Sequence, residues 1–155
     1  MSDASDHEQI RALVHAYAAR VDAGDLDGVA DLFAHATIVA GDGSRFSGRD
    51  TLRGLWGKSV RLYDDGLPHV CHVISNVDVQ VGEDGTSATA RSYVTVLQAI
   101  EGELPLQPVA VSLHSDTFAK VDGAWRFTER HDRQLLAGDL SHHVHGIEPP
   151  ARPGS

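Results

Sequence analysis

Asp22 is the first residue of this sequence whose type and position suggest chemistry, because a carboxylate can accept a proton. It follows Val21 and comes four residues after Ala18, so on a helix it borders an apolar stripe near the C-terminal end. Burial and the negative end of the helix dipole both disfavour a charged carboxylate there. From spacing alone, a solvated helix end is the simpler interpretation, and a base held near apolar surface is the alternative.

His72 is the second candidate, because an imidazole titrates near neutral pH and can act as a general base. It lies in the β-rich run Val70–Val81, where side chains alternate between the two faces of a strand. The alternation places His72 on one face with Val70, Ile74 and Asn76. A buried histidine must be hydrogen-bonded, so a satisfied core histidine is the simpler interpretation. The opposite face takes His69, Cys71, Val73, Ser75 and Val77.

Arg130 and His114 are further polar candidates, on the last two β-rich runs. For Arg130 the simpler interpretation is an exposed polar strand face with weak ion pairs between strands. Strict alternation gives that face to Arg126, Thr128, Arg130 and Asp132, and the opposite face to Trp125, Phe127, Glu129 and His131. His114 shares a face with Ser112 and Asp116, and the pattern favours neither a pocket position nor a structural one.

The ten histidines raise the question of a metal site, but their spacing argues against one. His69 and His72 would point to opposite faces of a strand, which makes a poor chelate. His142, His143 and His145 cluster in a polar segment that lacks a cysteine or carboxylate at the spacing of metal ligands. Motifs for dinucleotides, phosphates or a nucleophilic serine are absent. We therefore predict neither a metal nor a cofactor. The segment that contains His142, His143 and His145 is expected to be a polar tail, which could fold over the mouth of a pocket or over a neighbouring subunit.

The first half of the chain has the pattern of helices that would position Asp22. Ser5 and Glu8 have the spacing of a capping box. Gly24 fits a left-handed helix end, and Asp25 suits the start of a second, short helix. A third helix is expected to begin within residues 47–50. The apolar stripe of the first helix consists of Ile10, Leu13, Val14, Tyr17, Ala18 and Val21.

The second half of the chain has the period of β-strands. Asp122-Gly123 is a strong signal for a two-residue hairpin turn. Long strands joined by short turns predict an antiparallel meander, and helices followed by strands predict the α+β class. The predicted strands are Val70–Val81, Thr86–Ile100, Val109–Val121 and Trp125–Leu136, after a short run at Thr37–Ala40.

Composition limits what the chain binds. A net charge of −9 and only two lysines leave no clustered positive charge for nucleic-acid phosphates. No apolar run approaches the ~20 residues of a membrane span, and the first residues lack a signal-peptide pattern. A single cysteine fits a reducing compartment, so we predict a cytoplasmic protein. The length of 155 residues predicts one domain over 1–137, followed by a C-terminal extension and flexible tail over 138–155.

Five segments together carry a family resemblance: YAARVDAGDLDGVADLF, FSGRDTLRGLW, CHVISNVDVQV, ATARSYVTV and DGAWRFTERH. Their order and spacing resemble the SnoaL-like branch of the nuclear-transport-factor-2-like superfamily, which includes polyketide cyclases, scytalone dehydratase and lindane dehydrochlorinase. The resemblance covers roughly residues 5–137. It implies a curved antiparallel sheet that forms a conical half-barrel around a pocket, closed by the N-terminal helices.

The resemblance also implies a site. In the dehydratase and dehydrochlorinase members, an aspartate ending the first helix pairs with a histidine on the first long strand, and Asp22 and His72 match these positions. Arg130 matches an arginine in the pocket of the dehydrochlorinase, whereas Tyr17 stands where that enzyme has a lysine. The absent lysine argues against dehydrochlorination, and the Tyr17 hydroxyl is suited to bind a substrate oxygen.

We therefore predict a cofactor-independent lyase, isomerase or cyclase. In it His72, oriented by Asp22, removes a proton from a small, largely apolar cyclic molecule. Residues that could stabilise the resulting charge are Tyr17, His114, Arg130 and either Ser92 or Tyr93, since the strand register is open by one residue. An apolar lining is expected from Val14, Leu55, Trp56, Val70 and Ile74. The alternative is a non-catalytic small-molecule-binding or assembly module of the same fold.

The sequence also predicts self-association. A bent sheet leaves its outer face uncovered, and the face that carries Cys71 is apolar. We expect a homodimer or homotrimer with that face in or near the interface.

Overall fold

The computed structural model describes residues 4–151 as three helices and one six-stranded sheet. The helices are α1 (Asp6–Asp22), α2 (Leu26–Leu32) and α3 (Arg49–Ser59). The strands are β1 (Thr37–Val39), β2 (Arg45–Ser47), β3 (Val70–Val81), β4 (Ser87–Ile100), β5 (Leu104–Val121) and β6 (Ala124–Ala137). The predicted α+β class is confirmed, and all four predicted long strands are present. Within the described residues, no helix has the length and apolar character needed to cross a membrane.

The sheet is curved, open and mixed, with the strand order β2-β1-β6-β5-β4-β3. Strands β3 to β6 form the predicted antiparallel meander. The antiparallel pattern has one exception, because β1 pairs in parallel with β6, with Thr37 opposite Glu129. Parallel neighbours need a long connection, and the chain supplies one by running through α3 and the whole meander before β6.

The predicted helix ends are confirmed. Ser5 Oγ accepts a hydrogen bond from the amide of Glu8, whose side chain accepts one from the amide of Ser5. Asp25 caps α2 by accepting from the amide of Gly28 at 2.8 Å. The start of α3 differs from a side-chain cap, because Gly48 holds the N-cap position with φ 90° and has no side chain to donate or accept.

A bulge in β3 corrects the predicted alternation. The pairing with β4 shifts between Ser75 and Asp78, and Asn76 adopts φ 52°. Asn76 is therefore exposed rather than on the face of His72. Beyond the bulge, Val77 and Val79 turn to the helix-covered face and pack in the main core.

Gly24 occupies a turn where two backbones meet. Its φ is 71°, and a Cβ placed on it would collide with the carbonyl oxygen of Gly66. Gly43 has a similar φ of 87°, but nothing lies within 4 Å of its added Cβ. The turn between α1 and α2 therefore requires glycine for space as well as for conformation.

Gly24→Ala is expected to lower the free energy of unfolding by about 2–3 kcal/mol, from left-handed strain plus the displaced carbonyl. The matched variant Gly43→Ala has only the strain, about 1 kcal/mol. Urea denaturation of both variants checks the difference. Equal losses of unfolding free energy in the two variants would show that the loop containing Gly66 moves away from the added Cβ at no cost.

Candidate functional site

The structure brings Asp22 and His72 into direct contact across 50 residues of sequence. The Nδ1 atom of His72 lies 2.6 Å from Oδ1 of Asp22, and the backbone amide of His72 donates to Oδ2 at 2.9 Å. The imidazole is almost enclosed, with 5% of its side chain exposed. Two bonds from one residue to one carboxylate fix the ring relative to the helix end.

This geometry selects a tautomer of His72. A carboxylate accepts hydrogen bonds, so Nδ1 carries the proton that Asp22 accepts. The other ring nitrogen, Nε2, then has a lone pair, and within residues 4–151 it has no hydrogen-bond partner. An imidazole held this way is arranged to accept a proton from a bound molecule.

Two elements position the contact. The apolar stripe of α1 buries Val21 and leaves the next residue, Asp22, at the edge of the core. On β3, His72 faces the same side as Val70 and Ile74, both of which pack beside a second apolar cluster. The helix end and the strand therefore place both partners on one wall of the half-barrel.

A cavity of about 260 Å³ lies beside His72. This volume lies near the small end of ligand pockets, which suits a compact molecule. Its polar lining is Tyr17, His72, Ser112, His114, Asp132, Gln134 and His143. Its apolar lining is Val94, Val96, Ala110, Leu140, Val144 and Ile147.

A larger cleft of about 550 Å³ adjoins this cavity. Ser112, Asp132 and Gln134 line both spaces. Trp56, predicted as a substrate-binding residue, lines the larger cleft with Leu55 and not the cavity that contains His72. The two spaces therefore share one wall, and the histidines line only the smaller of them.

Tyr17 lies in the cavity as predicted. Its ring meets the rings of His72 and His114 edge-on, at centroid distances of 5.9 and 5.7 Å. Burial raises the pKa of Tyr17 to about 12, so its phenol stays protonated. Among the described residues its hydroxyl has no hydrogen-bond partner, which leaves it free to donate to a bound oxygen.

His114 is also a cavity residue. Its Nε2 lies 3.7 Å from Oδ2 of Asp132, a polar contact that is too long for a hydrogen bond. Burial, aided by the nearby Arg130 charge, lowers the pKa of His114. Burial works to raise the pKa of Asp132, but the polar neighbours His114 and Ser112 outweigh it and lower that pKa. The cavity thus contains a second carboxylate beside a second histidine.

Arg130, predicted to bind substrate, is not among the residues that line this cavity. Its Nε and Nη2 donate to the two carboxylate oxygens of Asp116 at 2.7 and 2.8 Å, and the two side chains are 3% and 1% exposed. The guanidinium lies 4.4 Å from the centroid of the Tyr17 ring. A bulge at Thr128 turns Arg130 inward, onto the face of Phe127.

Four more predicted lining residues lie elsewhere. Tyr93 is 40% exposed on the outer face, whereas Ser92 is 1% exposed on the inner face, which resolves the open register of β4. Val70 and Ile74 do not line this cavity and instead pack against the cluster that contains Val94 and Val96. Val14, expected in the apolar lining, is fully buried in the core.

The sequence did not identify the C-terminal extension as a cavity wall. Leu140, His143, Val144 and Ile147 all line the cavity, and Val144 forms a β-bridge with Val60. The cluster of histidines was the available signal, but the segment has no helical or strand period that would place it.

Metal binding has no matching geometry in the part of the chain that is described. There, no group of three or more His, Cys, Asp and Glu side chains is arranged to hold an ion. His69 instead contacts Asp65, with Nε2 2.9 Å from its carboxylate.

Stability is expected to fall in mild acid because of the buried histidines. Burial and the neighbouring His72 lower the pKa of His143 from 6.5 to about 4. Between these pH values the unfolded chain binds a proton that the folded chain refuses, so folding weakens as the pH falls from 6.5 to 4. The loss from His143 is at most about 3 kcal/mol, and His114 acts in the same direction.

Urea denaturation at several pH values between 4 and 6.5 measures this slope. His143→Gln should flatten it, because glutamine does not titrate. If the free energy of unfolding depended on pH equally in the wild type and the variant, the lowered pKa of His143 would not be the cause of the slope.

The comparisons with known proteins agree on the fold. Residues 2–131 match the family model described as the SnoaL-like domain. No curated protein matches the chain in the corresponding search. A scytalone dehydratase candidate from Novosphingobium aromaticivorans has 24% identity and a TM-score of 0.70, over 96% of this chain and 95% of that one.

Two other solved structures are similar. A nuclear-transport-factor-2-like protein with a cystatin-like fold, also from Novosphingobium aromaticivorans, has 23% identity and a TM-score of 0.68, over 84% of this chain and 82% of that one. ActVI-ORFA from Streptomyces coelicolor has 16% identity and a TM-score of 0.66, over 83% of this chain and 96% of that one. The shared fold and the family match over most of its length show that the chain belongs to the SnoaL-like domain family.

Proposed function

We propose that the protein is a cofactor-independent acid–base enzyme that removes a proton from a small, largely apolar cyclic molecule. The observation that carries this proposal is the contact of 2.6 Å between Asp22 and His72 at the wall of a cavity of about 260 Å³. Desolvating a carboxylate–imidazole pair costs free energy, which favours a catalytic role for the pair over a purely apolar binding pocket.

Each participant in the proton transfer has a place. Nε2 of His72 takes the proton, and the Asp22 carboxylate stabilises the imidazolium that forms. The negative charge left on the substrate spreads onto an oxygen, to which the Tyr17 hydroxyl can donate. Elimination of water, isomerisation and cyclisation all begin with this step.

Loss of water is the reaction that we favour among these. One similar structure is described as a scytalone dehydratase candidate, and the family match covers the segments that contain both Asp22 and His72. A dehydration also needs only a base and a place for the leaving hydroxyl. The polar wall of Ser112 and Asp132 offers that place.

A bicyclic β-hydroxyketone tests the proposal. The probe is 3-hydroxy-1-tetralone, whose loss of water gives the fluorescent product 1-naphthol. A second assay follows deuterium uptake from D2O at the α-carbon of 1-tetralone by NMR, which reports proton removal without a leaving group. Binding of both ketones without turnover or exchange would favour the alternative, a non-catalytic binding module.

We also propose that the protein forms a homodimer or homotrimer through the outer face of the sheet. Val73 and Tyr93 are large exposed residues on adjacent strands of this face. Leu136 continues the same surface on β6, opposite Val111. An exposed apolar sheet face of this kind is typical of interfaces between subunits.

Tyr93→Glu is expected to convert the assembly into monomers, because it places a charge in the apolar contact. Leu67→Glu is the matched control: Leu67 is also 40% exposed, but it lies in the loop after α3. Sedimentation velocity at micromolar concentration distinguishes them. A monomeric wild type would contradict the proposed assembly.

A further inference from the structure

We propose that His143 binds the substrate oxygen that becomes negative as His72 removes the proton, and that this oxygen belongs to an uncharged ketone. The inference rests on the proposed function, and it gives the C-terminal extension a part in binding the substrate. The two histidines would then divide the work, one as the base and the other as the hydrogen-bond donor.

The position of His143 supports the role. It is buried, it lines the cavity, and its ring lies 5.8 Å from the ring of His72 in an edge-on arrangement. Its Nδ1 is buried and has no hydrogen-bond partner within residues 4–151. A buried polar atom without a partner costs free energy, so a bound oxygen or water is its expected partner.

The backbone on both sides of His143 is held in place. Its carbonyl oxygen accepts from the amide of Arg61 at 2.9 Å, and its amide donates to the carbonyl of Leu140 at 3.0 Å. The next turn of the segment is fixed where the amide of His145 donates to Ser59 at 3.0 Å. The backbone that carries the imidazole is therefore held in place, as it must be for a group that positions a reacting atom.

The preceding residue adds two further anchors. The carbonyl of His142 accepts from the Tyr63 hydroxyl at 2.7 Å and from Nε2 of Gln98 at 3.1 Å. Gln98 is almost fully buried on β4. The extension is thus tied to the loop after α3 and to the sheet itself.

The charge of His143 decides what it binds. Its pKa of about 4, lowered by burial and by His72, keeps the imidazole neutral near pH 7. A neutral imidazole donates a hydrogen bond without a competing full charge, which suits an oxygen that gains charge only in the transition state.

The remaining charges favour an uncharged substrate. The cavity lining contains Asp132 and no lysine or arginine side chain, and Asp22 lies next to His72. A substrate carboxylate would meet these carboxylates without a cation to balance it. A ketone oxygen, by contrast, is neutral on binding and negative only after the proton has moved.

The step balances within the chain. The α-carbon loses its proton to Nε2 of His72, and the electron pair of the C–H bond passes to the carbonyl oxygen as an enolate. The oxygen accepts a hydrogen bond from His143. For a β-hydroxyketone the enolate then collapses and expels the hydroxyl group, which takes the proton from His72 and leaves as water.

His143→Phe and His143→Gln form the test, with folding checked by circular dichroism. With 3-hydroxy-1-tetralone, His143→Phe should lower kcat about 10²-fold with little change in KM, as expected for one lost donor to an oxyanion. His143→Gln retains an N–H donor, so its kcat should be at least about tenfold higher than that of His143→Phe. Equal kcat for the two variants, or a wild-type kcat in His143→Phe, would overturn the proposal.

A measurement without turnover separates this inference from the proposed function. In wild-type protein and in His72→Gln, the infrared carbonyl stretch of bound 1-tetralone should move to lower frequency, whereas in His143→Phe the shift should be smaller, because only the Tyr17 hydroxyl remains to donate. The same frequency in all three proteins would overturn the role of His143. Absence of 1-tetralone binding to the wild type would overturn the assignment of an uncharged ketone.

Discussion

His72→Gln is expected to lower kcat for the dehydration of 3-hydroxy-1-tetralone by about 10²–10⁴-fold, the contribution of a well-placed general base. Glutamine keeps a polar side chain of similar reach but cannot take up the proton. KM should change little, because the variant keeps the apolar lining of the cavity. Steady-state fluorescence of 1-naphthol measures both constants.

Asp22→Asn tests the orienting half of the pair. The amide is uncharged and cannot stabilise the imidazolium, and it offers one accepting oxygen to Nδ1 and the backbone amide of His72 in place of two carboxylate oxygens. We therefore expect a loss of similar size, with the ring of His72 less ordered in NMR spectra. His15→Gln, on the exposed side of α1, is the control and should keep full activity. A dyad variant with wild-type kcat would contradict the proposed base.

Arg130→Met is expected to lower the free energy of unfolding by about 3–5 kcal/mol, the usual cost of removing one partner from a buried ion pair. The loss arises because Asp116, with 1% of its side chain exposed, keeps a charge that nothing then balances. The Tyr17 ring also loses the guanidinium that lies against it. Chemical denaturation measures the change.

Two controls make this prediction specific. The double variant Arg130→Met/Asp116→Leu should recover most of the lost stability, because it removes both charges together. Arg45→Met breaks the exposed pair with Glu129 and should cost less than about 1 kcal/mol. If the double variant were as unstable as Arg130→Met, the loss would come from packing and not from the unpaired charge.

Local rules were sufficient for much of the fold. The capping box of Ser5 and Glu8, the left-handed Gly24 and the Asp122-Gly123 turn all lie where the sequence predicts them. Each depends on interactions within a few residues, so the residue types decide the outcome. The bounds of β3 were also predicted correctly, because an uninterrupted β-rich run lies between turn residues.

Features set by distant contacts were not predictable in this way. The inward turn of Arg130 depends on a bulge at Thr128 that strict alternation cannot express. The parallel pairing of β1 with β6 depends on β6 being left without a second neighbour once the meander has formed. The place of His143 depends on backbone bonds to Ser59 and Arg61, more than eighty residues away, so no local period reveals it.

The bulge at Asn76 lets His72 in the cavity and Val79 in the core share one face of the sheet, although an odd number of positions separates them. If this strand paired with β4 at the same length but without the bulge, one of the two would turn to the opposite face, because successive side chains alternate. Asn76→Gly, which keeps the length and adopts φ 52° easily, should preserve both. An alignment that places a gap elsewhere in this strand would assign half of its residues to the wrong side of the sheet.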